Sequence, residues 1–519
     1  MPKLLPTNIS DFRKIREGDY LYIDKTEYLY ELVRHPGGAW FLSRPRRFGK
    51  SLWISMLDEL FHSNRALFQD LWIDSSDYNW ESHPVFRLDF NLYPSKSAAE
   101  LEQNIKKHLA TVAALHKVTL NDGPYYVQFA DLIYALSAER QLVVLIDEYD
   151  KPLIDNLHNA AEAKAIRDVL KGFYGILKSL DSRLRMVFIT GISKFSRVGV
   201  FSDLNNLTDI TMHYAFATAF GLTEAEIRTN FAEHIVLLTQ KQGITEDGLL
   251  AKMRYWYNGF CFSPATENVY NPYSTLLFFY NQRFANYWFE SGTPTFLVNL
   301  LRQRNYEITE LDQLRLGELA FSTYEIDNLA IVPLLFQTGY LTIKGYDPRT
   351  QQYDLGYPNY EVENAFLVYL LDAFSESRQG FSEAHLWQMV EALEKQDLNT
   401  FFTVLQALFA NIDYDLHLGY EKYYQTIFYL VFKLIGLRIN AEVKTNAGRI
   451  DAVIETAELI FLFEFKVDSD AHSALKQIQD NQYYQKYLRR GKPITCVGAN
   501  FDTAARNIDD WITQVVDQG

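Results

Sequence analysis

Short apolar runs alternate with longer stretches of helical spacing over residues 1 to about 212 of this chain. The runs are Ala39–Leu42, Val85–Phe90, Leu142–Ile146 and Met186–Thr190. Continuous apolar runs of this length fit strands covered on both faces, as in a parallel sheet, whereas a half-exposed strand would alternate. Between them, Ala98–Ala114 and Ala160–Leu180 return an apolar residue every three or four positions, the period of a helix with one buried face. Strand and helix in turn predict an α/β domain with a mostly parallel sheet.

From Glu224 to about Ala410 helical spacing dominates, broken at Asn271-Pro272 and Gly292-Thr293-Pro294. Within it, Gly339–Ile343 and Tyr353–Leu355 flank the polar turn Gly345–Gln351, which predicts a hairpin that would serve as the wing of a winged-helix module. Leu386–Leu408 reads as one helical connector. The last hundred residues open with a helix over Glu421–Ile435. Strands over Gly448–Ile454 and Leu459–Lys466 follow, joined through Thr456-Ala457-Glu458. The expected division is 1–212, 213–410 and 411–519: an α/β domain, a mainly helical middle region and a second, smaller α/β domain.

Two stretches carry candidate chemistry in the first domain. Arg44-Pro45-Arg46-Arg47-Phe48-Gly49-Lys50-Ser51 follows the first run directly. A strand that enters a loop ending Gly-Lys-Ser is the signature of a phosphate-binding P-loop, in which backbone amides cradle phosphates. Lys50 would reach the β and γ oxygens, and Ser51 would bind Mg²⁺. The usual pattern has glycine where Arg44 stands, and an ordinary turn with a solvated lysine is the plain alternative. The second stretch is Asp147-Glu148-Tyr149-Asp150-Lys151-Pro152, at the carboxyl end of the most apolar run. Carboxylates there lie where open α/β sheets bind ligands, and packing gives no reason for them. Asp147 is placed to hold Mg²⁺, and Glu148 to polarise an attacking water. Thr190 and Ser193 follow the fourth strand and would sense the γ-phosphate. Arg197 would act as an arginine finger, in cis or from a neighbouring subunit of a homo-oligomer. Arg46 and Arg47 would hold phosphate or DNA, or form a solvated loop face.

The C-terminal strands carry a second chemistry. If their turn centres on Ala457-Glu458, Asp451 lies opposite Glu464, with Cβ atoms roughly 5 Å apart. Glu464 and Lys466, two residues apart, share a face. Two carboxylates this close repel unless a cation lies between them. Oxygen ligands with open water positions suit Mg²⁺ or Mn²⁺, and a lysine beside the metal can orient its water toward a phosphodiester. A surface Glu–Lys pair is the plain alternative, but the apolar Phe461-Leu462-Phe463 makes this strand buried and its charges in need of a reason.

Taken together these motifs resemble the bacterial AAA-ATPase-like family whose members carry a C-terminal PD-(D/E)XK nuclease domain. Tyr22-Ile23-Asp24-Lys25-Thr26, Phe188 through Asp209, Trp256-Tyr257-Asn258-Gly259, Asn271-Pro272 and Phe336-Gln337-Thr338-Gly339-Tyr340-Leu341 resemble it as well, so the likeness spans nearly the whole chain. The resemblance implies a P-loop NTPase domain, an arginine at position 44 as a normal feature, and a nucleotide-binding set of Arg44, Arg46, Arg47, Phe48, Gly49, Lys50, Ser51, Asp147, Thr190 and Arg197. It also implies that Glu421 completes the nuclease metal site with Asp451 and Glu464, and that Gln477 and Tyr483 support that site. Glu421 as a helix-start carboxylate and Gln477 on a solvated face are the alternatives.

Composition trims this picture without changing it. The 519 residues exceed what one core organises, and 34 Tyr and 36 Phe argue against long disordered tails. No apolar stretch is long enough to span a bilayer, and the N-terminus shows no signal-peptide pattern. Cys261 and Cys496 have no metal-ligand spacing and read as inert thiols of a reducing cytoplasm. The net charge of -15 disfavours a broad grip on nucleic acid but leaves room for a local basic groove. Residues 411–519 hold 12 Lys+Arg against 15 Asp+Glu, a net of -3, which is less acidic than the chain average. The expected function is ATP binding and hydrolysis coupled to a Mg²⁺-dependent nuclease acting on DNA, with RNA as the alternative, a pairing suited to defence against mobile elements. The rivals are a nucleotide-dependent switch whose nuclease fold binds nucleic acid without cutting it, and a nuclease whose P-loop domain binds nucleotide without turnover.

Overall fold

The computed structural model describes residues 2–516 except 36, 195–199, 202, 203, 205, 265, 291–294, 305, 313, 322–329, 376–380, 411–419, 439–441, 446–450 and 457; for 290, 295, 296, 303, 312, 319, 381, 382, 420–425, 442–445 and 451 the backbone alone is described. The chain forms two compact units, Met1–Ser291 with Leu314–Glu361, and Gly292–Gln313 with Val362–Gly519. Most of the middle region, residues 213–291 and 314–361, thus shares a unit with the N-terminal sheet.

The apolar runs become the strands they predict: β1 (Gly38–Ser43), β2 (Val85–Asp89), β3 (Leu142–Asp147) and β4 (Leu184–Gly191), with a short β5 (Leu207–Asp209). All pair in parallel, in the order β2-β3-β4-β1-β5. Every residue of β3 is buried, which is why its sequence does not alternate. Parallel pairing brings the carboxyl ends of β1, β3 and β4 to one edge, and with them the Gly-Lys-Ser loop, Asp147-Glu148 and Thr190. The helices Ala98–Leu115, Tyr125–Leu136 and Ala160–Ser179 pack together in this unit, and Lys50–Phe61 packs against β2 and β3.

The rest of the first unit is mainly helical and has its own core, around Phe231, Leu249, Tyr257, Tyr270 and Phe278. The expected hairpin is present as β7 (Thr342–Asp347) and β8 (Gln352–Gly356), directly after the helix Ile331–Thr338. A further strand, β6 (Leu314–Gly317), pairs with β8.

In the second unit the single connector expected over Leu386–Leu408 is instead two helices, Phe381–Glu394 and Leu398–Ala410. Gln396 takes a positive φ of 56°, and Asp397 accepts the amide of Thr400 at 3.0 Å, so a turn and a fresh N-cap interrupt the helical spacing. A mixed sheet follows: β9 (Glu442–Thr445), β10 (Asp451–Glu455), β11 (Ile460–Val467), β12 (Ile494–Asp502) and β13 (Asn507–Val516), in the order β13-β12-β11-β10-β9. The β10 strand is described from Asp451, and the first residues expected of it, 448–450, lie outside the described residues.

The two-residue period of β11 divides its side chains. Phe463 and Phe465 face the helices Leu398–Ala410 and Tyr420–Arg438, with ring centroids 5.6 Å from Phe401 and 4.7 Å from Phe428. Ile460 and Leu462 share a cluster with Leu475 and Ile478 of the helix Ala471–Asp480 on the other face. Glu464 and Lys466 have the same parity as Ile460 and Leu462. That helix lies against β12 because position 498 is glycine: a Cβ there would stand 2.4 Å from the Ala471 carbonyl and 2.5 Å from the Leu475 amide. Gly498→Ala is therefore expected to push the helix off the sheet and to destabilise the second unit by about 1–3 kcal/mol. Thermal and urea denaturation check this, and a melting curve equal to wild type would contradict it.

Candidate functional site

The loop from β1 into the helix Lys50–Phe61 turns on Gly49, whose φ of 87° suits glycine best. Beside it lies a cavity of about 500 Å³ lined by Arg46, Arg47, Gly49, Lys50, Ser51 and Glu148, together with Lys151, Asp155, Tyr273 and the N-terminal segment Pro6–Ser10. The Lys50 ammonium is almost wholly buried. It donates to the carbonyls of Arg44 at 3.0 Å and Pro45 at 3.3 Å, and lies 3.4 Å from the Glu148 carboxylate. Glu148 holds a left-handed φ of 50°, the kind of backbone strain that costs on the order of 1–3 kcal/mol and persists only where its surroundings enforce it.

Arg44, Phe48, Asp147 and Thr190 do not line the cavity. Arg44 is a buried strut. Its guanidinium donates to the carbonyls of Ser43 at 3.0 Å, Thr211 at 2.5 Å and Phe216 at 3.2 Å, and lies 4.1 Å from the Phe262 ring centroid. Burial pushes its pKa down to about 9, which leaves it cationic at neutral pH. Phe48 packs edge-on against Phe260 and Phe262 at 4.9 and 5.3 Å. Arg47 lies 4.6 Å from the Tyr273 ring, and the Trp288 indole donates to the Arg46 carbonyl at 3.1 Å. Residues of the middle region, next to segments singled out in the sequence, thus wrap the loop.

Behind the cavity, the ends of β3 and β4 are latched together. Thr190 Oγ1 donates to Asp147 Oδ1 at 2.5 Å, and the Tyr149 amide donates to the Thr190 carbonyl at 3.0 Å. Asp150 Oδ2 accepts the amides of Ile192 at 3.1 Å and Ser193 at 2.6 Å and the Ser193 hydroxyl at 2.5 Å. Lys194 pairs with Asp209, and its amide donates to Gln337 at 2.7 Å. Asp147 Oδ2 is buried with no hydrogen-bond partner among the described residues. A hard, buried oxygen without a protein partner is the kind of ligand a Mg²⁺ ion takes. Arg197 lies outside the described residues. Sequence reasoning quoted Asp150 without giving it a role and passed over Tyr273 and Trp288. Asp150 was detectable as a third carboxylate at a buried strand end, but the ring contacts span hundreds of residues and leave no local pattern.

In the second unit the register expected from the turn is present: Asp451 stands opposite Glu464 in the β10–β11 ladder. The Glu464 side chain is only 2% exposed and lies 3.6 Å from the Lys466 ammonium. Gln477 joins them, its amide nitrogen donating to Glu464 and its amide oxygen accepting from Lys466. Tyr483 lies on the turn after that helix and accepts from Asn481 at 3.0 Å. Glu421 falls in the helix Tyr420–Arg438. Asp451 and Glu464 thus occupy one rung of the ladder, and a carboxylate is the kind of oxygen donor a Mg²⁺ or Mn²⁺ ion takes. Among the described residues no three His, Cys, Asp or Glu side chains form a metal cluster by themselves. No helix among them is long and apolar enough to cross a membrane.

Comparison with known proteins agrees with this geometry. Residues 6–201 match the family described as "Predicted AAA-ATPase", and residues 419–511 match the PD-(D/E)XK nuclease superfamily. A protein of Azotobacter chroococcum mcd 1, described as "Uncharacterized protein in vnfD 5'region", is 38% identical over 534 residues, covering 99% of each chain. The chain belongs to the AAA-ATPase-like family, with a PD-(D/E)XK nuclease domain at its C-terminal end. These two domain classes support an ATPase together with a nuclease-like activity.

The latch carries a pH signature. Burial, and then the charge of Glu148, raise the Asp150 pKa to about 6 from 3.8 despite the three donors. The folded state then binds more protons than the unfolded state between these values, so this group's contribution to stability falls as pH rises from about 4 to about 6 and is constant above. The unfolding free energy of wild type relative to Asp150→Asn is expected to decline over that interval. Denaturant titrations at pH 4 to 8 check it, and a pH-independent difference would contradict it.

Proposed function

We propose that the chain binds and hydrolyses ATP, and that it couples this to a Mg²⁺-dependent nuclease acting on phosphodiester bonds in nucleic acid, DNA rather than RNA. The observation that carries the reading is a buried glutamate, Glu464, that shares Gln477 with Lys466 and stands opposite Asp451. A core strand has no structural need for that set, and a module that only bound nucleic acid would not need all three residues.

In the ATP site Lys50 exchanges its loop carbonyls for the β and γ oxygens of the nucleotide. Gly49 and the first turn of the helix offer amides to the phosphates, and Arg46 and Arg47 add charge at the cavity mouth. Ser51 and Asp147 would hold the Mg²⁺ that accompanies the nucleotide. Glu148 orients the attacking water, and Thr190, buried behind the cavity, fixes Asp147 and does not touch the γ-phosphate. In the nuclease site Asp451 and Glu464, with Glu421, would hold Mg²⁺ or Mn²⁺. A bound divalent cation there acidifies water and offsets the charge gathering on the phosphate. Lys466 donates to the water or to a phosphate oxygen, Gln477 keeps Glu464 and Lys466 in place, and Tyr483 supports the turn behind them. Phosphodiester hydrolysis does not itself need ATP, so ATP would govern access to the nuclease or its activation. Defence against mobile elements suits such control.

Two sets of variants test this. Lys50→Ala should weaken ATP binding at least tenfold, about 1.4 kcal/mol. Glu148→Gln should keep binding and lose roughly 10²–10⁴ in turnover. Calorimetric titration and phosphate release measure both, and unchanged ATP affinity in Lys50→Ala would refute the ATP site.

For the nuclease, Asp451→Ala and Glu464→Ala should each abolish metal-dependent cleavage. Lys466→Ala should lose cleavage while keeping Mn²⁺ binding. Gln477→Ala should cost about 10–100-fold. ATP affinity should survive all four. Cleavage at the wild-type rate by the Asp451→Ala, Glu464→Ala double variant would show that the strand pair is structural only.

A further inference from the structure

The helix that bears Gln477 and the turn after it carry cations for which the cleavage chemistry has no use. Ser473–Lys492 holds Lys476, Lys486, Arg489, Arg490 and Lys492 against Asp480, five cations and one carboxylate for a net of +4, in a chain of net -15. These cations differ in their surroundings. Arg490 and Lys492 are tied to Glu455 at 3.8 and 3.0 Å. Lys486 and Arg489 are exposed, and no carboxylate pairs with either among the described residues. The Lys486 ammonium lies over the Tyr487 ring, 5.0 Å from its centroid.

Lys486 and Arg489 line one hollow of about 560 Å³ with Asn481, Gln482, Tyr483 and Gln485. No acidic residue lines it; Asp480, the last residue of the preceding helix, stays outside. A helix C-terminus ordinarily presents carbonyls that repel anions. Here the amides of Asn481, Gln482 and Tyr483 take the carbonyls of Gln477, Gln479 and Ile478 at 3.0–3.1 Å, so those acceptors are already used. Tyr487 is buried in the cluster of Ile460, Leu462, Leu475 and Ile478, which anchors the turn to the sheet. The hollow begins one helical turn past Gln477, the residue that bridges Glu464 and Lys466.

We propose that this hollow seats the sugar–phosphate backbone of the nucleic acid beside the bond to be cut, with Lys486 and Arg489 each engaging a phosphate. The proposal rests on the nuclease reading of Glu464, Lys466 and Gln477. Side-chain amides, a phenol and two cations without a carboxylate partner are groups that contact phosphate and sugar oxygens. Such contacts position the strand, and the affinity they give is strongly salt-dependent. A local seat of this kind also explains how a chain of net negative charge can hold a polyanion.

The test is binding of a fluorescein-labelled 20-nucleotide DNA, single-stranded and duplex, to the full chain in Ca²⁺, followed by anisotropy from 50 to 300 mM KCl. The Lys486→Ala, Arg489→Ala double variant should bind at least tenfold more weakly at 100 mM salt. Its slope of log affinity against log salt should be shallower by about 1.4 for single strands and 1.8 for duplex, two phosphate contacts' worth. Arg489→Lys should retain most of the slope. Mn²⁺ affinity and melting temperature should not change in either variant, because both side chains are exposed. Wild-type affinity and slope in the double variant, with wild type binding DNA, would overturn the seat and leave the nuclease reading standing. Weaker binding with an unchanged salt slope would also overturn it, since phosphate contacts would not be what was lost. A wild-type chain that neither binds nor cuts DNA or RNA would overturn both. A double variant that loses association with an acidic protein but not with DNA would assign the hollow to a protein partner instead.

Discussion

A carboxylate buried among apolar strands costs several kcal/mol unless hydrogen bonds and opposite charge compensate it. Both candidate sites of this chain are organised around that compensation. At the end of β3, Asp147 is answered by Thr190, Glu148 by Lys50, and Asp150 by two amides and a hydroxyl of the segment after β4. On β11, Glu464 is answered by Gln477 and Lys466. At the end of β3 the compensation is incomplete or exchangeable. Asp147 keeps one oxygen without a partner, and Lys50 spends its donors on loop carbonyls that a phosphate can replace. Groups held in this way are ready for a ligand without needing one in order to fold.

The P-loop shows the same economy. Where the usual pattern places a flexible glycine, Arg44 is locked by three carbonyls and two aromatic rings. The backbone of that same residue is one of the two acceptors for Lys50. Loop shape therefore depends on Thr211, Phe216 and Phe262, and, through Arg46, on Trp288. The middle region of the first unit is thus a wall of the loop that carries Lys50. Lys194, which bonds Gln337, extends this wall to the end of β4, where the latch of Asp150 and Ser193 lies.

Much of this was legible in the sequence because it is local. Four apolar runs gave four parallel strands, since a doubly covered strand has no polar face to show. The short connection after Glu455 fixed the pairing of Asp451 with Glu464, because antiparallel register follows from the turn. The parity of Phe461-Leu462-Phe463-Glu464-Phe465-Lys466 separated the aromatic face from the charged one. What could not be read was long-range or brief. The turn at Gln396 interrupts a helical pattern for only three residues. Trp288 reaches Arg46 across 242 positions, and nothing near either residue announces the contact. Arg44 stands within the motif Arg-Pro-Arg-Arg-Phe-Gly-Lys-Ser and reads there as part of the nucleotide-binding set; only its burial shows that its side chain is turned into the protein.

The claim that two partnered-carboxylate sites work in one chain is tested most directly by incubating the purified wild-type chain with single- and double-stranded DNA and RNA. Mg²⁺ or Mn²⁺ is supplied or withheld, and ATP is present or absent. The account predicts cleavage of at least one substrate, DNA before RNA, only when a divalent cation is present, at a rate that ATP changes. Metal-independent cleavage, or no cleavage of any substrate with metal and ATP both supplied, would contradict it.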